Sequence, residues 1–154
     1  MTRTFTTYDE LVAAVGEHLG HSSWLLVDQP RIDLFAEATG DDQWIHVDAE
    51  RAMSGPFATT IAHGYLSLSL LPVLTRSLVD YAGWAVKVNY GSNKVRFPMP
   101  VRVGSRVRAG VEVVAVTPVP TGIQVITSVT MQIQHDGRMV DKPALIAEVV
   151  TLLV

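Results

Sequence analysis

At 154 residues and 48% hydrophobic, the chain is long enough to bury a substantial core and falls near the usual size of one domain, 1–154. The absence of cysteine excludes a disulfide framework, a thiolate metal site and a cysteine nucleophile, and a net charge of -3 argues against bulk nucleic-acid binding. No run reaches the ~20 apolar residues of a membrane span, and Met1–Phe5 opens no signal-like apolar stretch, so a cytoplasmic protein is expected.

In chain order, the spacing first predicts a helix after Tyr8, Asp9 and Glu10, with Leu11, Val12 and Val15 on its apolar side. A second helix is expected over Ile32–Ala38, where Ile32, Leu34, Phe35 and Ala38 recur, and Gly40 supplies the left-handed residue that commonly ends a helix. Asp41 then begins a loop. There Trp44 and Ile45 can anchor the backbone while Asp41 and His46, five residues apart, face a common cavity as a compact acid/base pair. Each residue alone reads more readily as a turn or cap residue or as a satisfied polar group.

The Leu-rich segment Gly64–Val79 reads as a buried central helix, interrupted by Pro72 and Arg76, with Tyr65 expected in its core packing. From Trp84 onward the period changes to that of strands. Ile123, Val125, Val129, Met131 and Ile133 alternate with Gln124, Ser128, Thr130, Gln132 and Gln134. Arg106–Thr117 and Leu145–Val154 are likewise β-rich, Pro118–Gly122 breaks the first of these from the next, and His135–Arg138 centres a hairpin on Asp-Gly. Helices followed by a run of antiparallel strands argue an α+β fold, a curved antiparallel β-sheet wrapped around one long apolar helix.

Three stretches, Phe35–Asp48 (FAEATGDDQWIHVD), Ala62–Pro72 (AHGYLSLSLLP) and Tyr90–Val107, together resemble the MaoC-like dehydratases, also called R-specific enoyl-CoA hydratases. The resemblance runs from about Arg31 to the C-terminus, and its most specific part is Asp-x(4)-His backed by Ala-His-Gly. Where that family often has Asn-Pro inside the loop, this chain has Gln43-Trp44. The resemblance implies a hot-dog fold and reversible syn hydration of a trans-2-enoyl thioester to a (3R)-3-hydroxyacyl thioester. Coenzyme A would enter as part of the substrate, with no separate cofactor.

For that chemistry Asp41 and His46 would hold one water, Asp41 being the favoured proton acceptor, and the Gly64 N–H would stabilise the thioester oxygen as it gains charge. Between Tyr81 and Val111 there is no acidic residue, yet Lys87, Lys94, Arg96, Arg102, Arg106 and Arg108 all fall there, half of the chain's Lys and Arg. Lys94, Arg96 and Arg106 are therefore candidates for coenzyme A or carrier phosphates, against the alternative of solvated strand-edge charges.

Ser69 could contact substrate or orient a catalytic group, although a helix-interior Ser more often bonds its own backbone. Phe57, Met53 and Leu70 could line an acyl tunnel or fill the core. No metal site is expected, because Asp41, Asp42, His46 and Asp48 lack a second His at metal spacing, and His63 reads as a structural hydrogen-bonding residue. A hot-dog acyl-CoA thioesterase and a non-catalytic acyl-binding subunit remain the alternatives. Exposed sheet edges should pair two copies into a homodimer.

Overall fold

The computed structural model describes residues 2–154. Nine strands and six helices follow in the order β1 (Arg3–Thr4), α1 (Tyr8–Ala13), β2 (His18–His21), β3 (Leu25–Val27), α2 (Gln29–Thr39), α3 (Trp44–Val47), α4 (Ala49–Met53), α5 (Gly64–Ser69), α6 (Leu71–Thr75), β4 (Val79–Asp80), β5 (Lys87–Arg96), β6 (Ser105–Val119), β7 (Gly122–His135), β8 (Arg138–Met139) and β9 (Leu145–Leu153).

The main sheet has the order β2-β6-β7-β9-β5, every pair antiparallel, with β3 also on β6 and β8 on β7. On β7 the alternation read from sequence holds: Val125, Thr127, Val129, Met131 and Ile133 are buried, and their neighbours are not. The same period puts Val107, Ala109, Val111 and Val113 of β6 inward. The β7–β8 turn places Asp136 at φ 49° and Gly137 at φ 75°, the two left-handed residues that match the twist of paired strands.

The central helix differs from the expectation. It is two short helices, α5 and α6, ending at Thr75, and Val79–Asp80 forms a strand instead. Pro72 stands in the first turn of α6, where its missing N–H costs least, so the chain is re-started there as a new helix. Leu66, Leu70, Leu71 and Leu74 face the sheet and join the core. Burying each contributes about 1.5–3 kcal/mol. Tyr65 does not: it is 70% exposed, with its ring edge-on to Phe97 at 6.2 Å. On α1 only Leu11 reaches the core, and Val12 and Val15 remain exposed.

The first half also holds strands that its helical spacing hid. β1 and β4 form a small parallel pair, and β2 and β3 extend the main sheet beside β6. These strands are two to four residues long, too short for a period of two to stand out. At the opposite edge β5 pairs only with β9 and is exposed along most of its length.

Candidate active site

The Asp41–His46 loop is held between α2 and the start of α5. Asp28 caps α2 by accepting the Arg31 N–H, Pro30 sits in its first turn, and Gly40 ends it at φ 75° by donating to the Ala36 carbonyl. The chain then turns through Asp41, Asp42 and Gln43 into α3, one helical turn that carries His46 inward. His46 is buried, and Asp41 stays at the exposed end. Trp44 and Ile45 are half-buried; the Arg51 guanidinium covers Trp44 at 4.4 Å.

His46 is locked from three sides. Its Nδ1–H donates to the Ile61 carbonyl at 2.7 Å, and the Ile61 N–H returns to the Ile45 carbonyl at 3.0 Å. Gln29 donates to the His46 carbonyl at 2.7 Å while accepting the hydroxyl of buried Thr60 at 2.6 Å. Because a carbonyl can only accept, Nδ1 carries the hydrogen and Nε2 is left with its lone pair.

His63, just before α5, is the residue whose role the sequence understated. Its Nε2–H donates to the Asp41 backbone carbonyl at 2.8 Å, which ties the loop to the helix start. Its ring stacks on that of His46 at 3.8 Å and meets Phe35 at 4.9 Å on the way back to α2. Its Nδ1 is buried with no hydrogen-bond partner among the described residues.

One ligand atom from each of Asp41, His46 and His63 lies within 4.8 Å of the others, a grouping that the seventeen-residue gap between the two histidines concealed. The ring planes are only 23° from parallel. His63 Nε2 is engaged by the Asp41 backbone carbonyl and His46 Nδ1 by the Ile61 carbonyl, which leaves His46 Nε2, His63 Nδ1 and the Asp41 carboxylate as the group's free atoms.

Burial is the largest influence on His46 and holds its pKa below the ordinary imidazole range. The Ile61 carbonyl and Asp41 oppose this, and His63 adds to it. His46 is therefore a neutral base at neutral pH.

Residues 10–134 match the MaoC like domain. The chain is 49% identical, over 95% of both sequences, to 3-hydroxyacyl-thioester dehydratase Z of Mycobacterium tuberculosis, and 41% identical to nodulation protein N of Rhizobium leguminosarum bv. viciae over 94% of this chain and 89% of that one. The chain belongs to the MaoC-like dehydratase family. Among solved structures, an (R)-hydratase from A. caviae involved in PHA biosynthesis superimposes with a TM-score of 0.71 at 26% identity, covering 91% of this chain and 96% of that one. The fold is the hot-dog fold, and the kinship supports a hydratase/dehydratase role.

In this MaoC-like protein Gly64 opens α5 with a first-turn N–H that has no intrahelical acceptor. A side chain there would bring Cβ to 3.0 Å from the half-exposed Phe97 ring, which would have to shift by a few tenths of an ångström to admit it. Ser69 donates its hydroxyl to the Tyr65 carbonyl at 2.7 Å, as a helix-interior Ser does, yet it also lines a cavity of about 440 Å³ between α5–α6 and the sheet. Leu70 is core, Phe57 is half-buried and Met53 is 66% exposed; none of the three lines that cavity.

The basic block, contiguous in sequence, is divided in space. Lys94 and Arg96 lie on β5; Lys94 pairs with Glu148 at 3.6 Å, and Arg96 donates to the Val95 carbonyl. Arg106 is exposed on β6, with β7 and β9 between it and β5. Three strand spacings separate them by about 14 Å. Arg108 is committed to Gln132 at 2.8 Å and to the Trp24 ring at 4.7 Å. Arg106 therefore does not join Lys94 and Arg96 in one cluster.

Proposed function

We propose that this protein reversibly hydrates trans-2-enoyl thioesters to (3R)-3-hydroxyacyl thioesters. The observation that carries the reading is the juxtaposition of the Asp41 carboxylate with a neutral His46 whose only bonded nitrogen is Nδ1. Two acceptors side by side take the two hydrogens of one water and leave its oxygen lone pair free to attack C3.

As the oxygen–C3 bond forms, one water hydrogen passes to the Asp41–His46 pair and the other stays on the new hydroxyl. Electrons of the C2–C3 double bond shift toward the thioester oxygen, which the Gly64 N–H receives. The proton held by the pair then returns to C2 on the same face, which gives syn addition. The fixed tautomer of His46 makes Nε2 a competent acceptor, so Asp41 need not take the proton alone. No cofactor beyond the thioester enters this sequence.

The acyl chain is assigned to the 440 Å³ cavity, which begins at Leu68 and Ser69, about 7.5 Å along the helix from Gly64. Coenzyme A phosphates are assigned to Lys94 and Arg96 on β5. The same strand is proposed to pair with its copy in a second chain, since it presents Val88, Tyr90 and an unpaired backbone edge to solvent.

A thioesterase reading gains little support. Ser105 does contact His135 Nδ1 at 2.8 Å, and His135 Nε2 lies 3.6 Å from Asp136. Ser105 is 1% exposed, however, and lines with His135 a separate cavity of about 250 Å³ that holds neither Asp41 nor His46; its bond to His135 ties β6 to β7. Product analysis with crotonyl-CoA separates the classes. 3-Hydroxybutyryl-CoA of R configuration is expected; free thiol, or binding without turnover, would refute the proposal.

A further inference from the structure

The inward row of β7 runs Ile123, Val125, Thr127, Val129, Met131, Ile133, so Thr127 is the one polar residue on that face. It sits on a central strand, opposite Val113 on β6 and Val149 on β9, and is only 6% exposed. Its hydroxyl is not one of the sealed, unpartnered polar atoms of the core, and Thr127 lines the cavity beneath α5 and α6, where a bound molecule can reach it.

A second hydroxyl-bearing residue lines the same space. Tyr81 follows β4, stacks on Phe5 at 6.0 Å, is 8% exposed and also lines the cavity. Burial alone pushes its phenol up to about 12, with no hydrogen-bonding group acting on it. The cavity follows the helices from Leu68 through Arg76 to Tyr81. Tyr81 shares the cavity wall with Arg76 and Val79, past the C-terminal end of α6, whereas Gly64 opens α5. The same wall also holds Thr75, Arg76, Lys87, Asn89, Ser92 and Thr151.

A cavity made for a plain alkyl tail would carry Val or Leu at these places, as the flanking Val111, Val129 and Val149 do. We infer that the acyl cavity selects thioesters whose chain bears a hydrogen-bonding oxygen remote from the thioester, with Thr127 and Tyr81 as its partners. The inference rests on the reading of this cavity as the acyl site.

The test is calorimetric binding of saturated acyl-CoA thioesters, which cannot be hydrated, each ω-hydroxylated chain compared with the ω-methyl chain of equal length across a series. At the matching length the hydroxylated member should bind about five- to ten-fold tighter, the range of one or two neutral hydrogen bonds. Thr127→Val and Tyr81→Phe, each shown folded by circular dichroism, should bring the ratio to one or below. A ratio at or below one at every length, a preference that survives both substitutions, or no binding of either class overturns the inference. Enoyl-CoA turnover is measured separately. Turnover without hydroxyl preference refutes this inference alone, whereas preference without turnover refutes the hydratase reading alone.

Discussion

Gln29 offers a sharp test of how the site is held. It stands in the first turn of α2 and makes three side-chain bonds, to Asp33 at 2.8 Å, to the His46 carbonyl at 2.7 Å and from Thr60 at 2.6 Å. In Gln29→Ala the Asp33 bond is exposed and its loss matters little. The other two leave a buried hydroxyl and a part-buried carbonyl unpaired. At roughly 1–3 kcal/mol per orphaned group, the loss is about 2–6 kcal/mol. For a chain of this size that lowers Tm by about 5–20 °C. Loosening the peptide that carries His46 should also lower kcat by about 10- to 100-fold, with a smaller change in KM, since the reacting geometry is disturbed more than acyl binding. Gln29→Glu separates the two halves: it still accepts from Thr60 but cannot donate to the His46 carbonyl, and it should keep the kcat loss. Scanning calorimetry and steady-state hydration of crotonyl-CoA check both effects. A Gln29→Ala protein with unchanged kcat and Tm would show that the clamp does not hold the site.

Asp41→Asn and His46→Gln should each fold and lose ~10²-fold or more in kcat, and the double variant should lose far less than the product of the two, because both groups act on one water; additive losses in single-turnover assays would contradict a shared water. His46 binds its proton less readily folded than unfolded, so between its depressed pKa and the usual imidazole value the unfolded chain holds more protons and stability falls as pH falls through that window. His21 shifts in the same direction, so the diagnostic is the difference in Tm against pH between wild type and His46→Gln, whose slope should be shallower on the acid side. Neutralising Lys94 and Arg96 should raise KM for an enoyl-CoA and leave KM for the matching pantetheine thioester nearly unchanged, whereas equal effects on both would mark them as solvated edge charges. Sedimentation should show a dimer that Tyr90→Asp on β5 weakens; a wild-type monomer at micromolar concentration would refute edge pairing.

Much of the architecture was legible in the residue order because it depends on local rules. Alternation on β6 and β7 specifies which face is buried, Gly40 ends α2 in the left-handed conformation, and Asp136-Gly137 supplies the turn that two paired strands need. The Asp41–His46 spacing could be read for the same reason, since both residues belong to one loop. Short pieces escaped: β1 to β4 hold too few residues for a period, and Pro72 split a Leu-rich run that hydrophobicity alone presented as continuous.

The sequence by itself thus determined the α+β class, the family and the loop that carries Asp41 and His46. Only the tertiary structure decided what surrounds that pair. It brought His63 from seventeen residues away to stack on His46, and it set the tautomer of His46 through the Ile61 carbonyl. Pairing β5 with β9 and not with β6 pulled the basic block apart, and laying α5–α6 over Thr127 turned the one polar residue on the inward face of β7 into a cavity wall. Periodicity reports which side of an element is buried. Which elements then become neighbours depends on contacts between residues distant in the chain, and these arise only when the sheet closes around the helices.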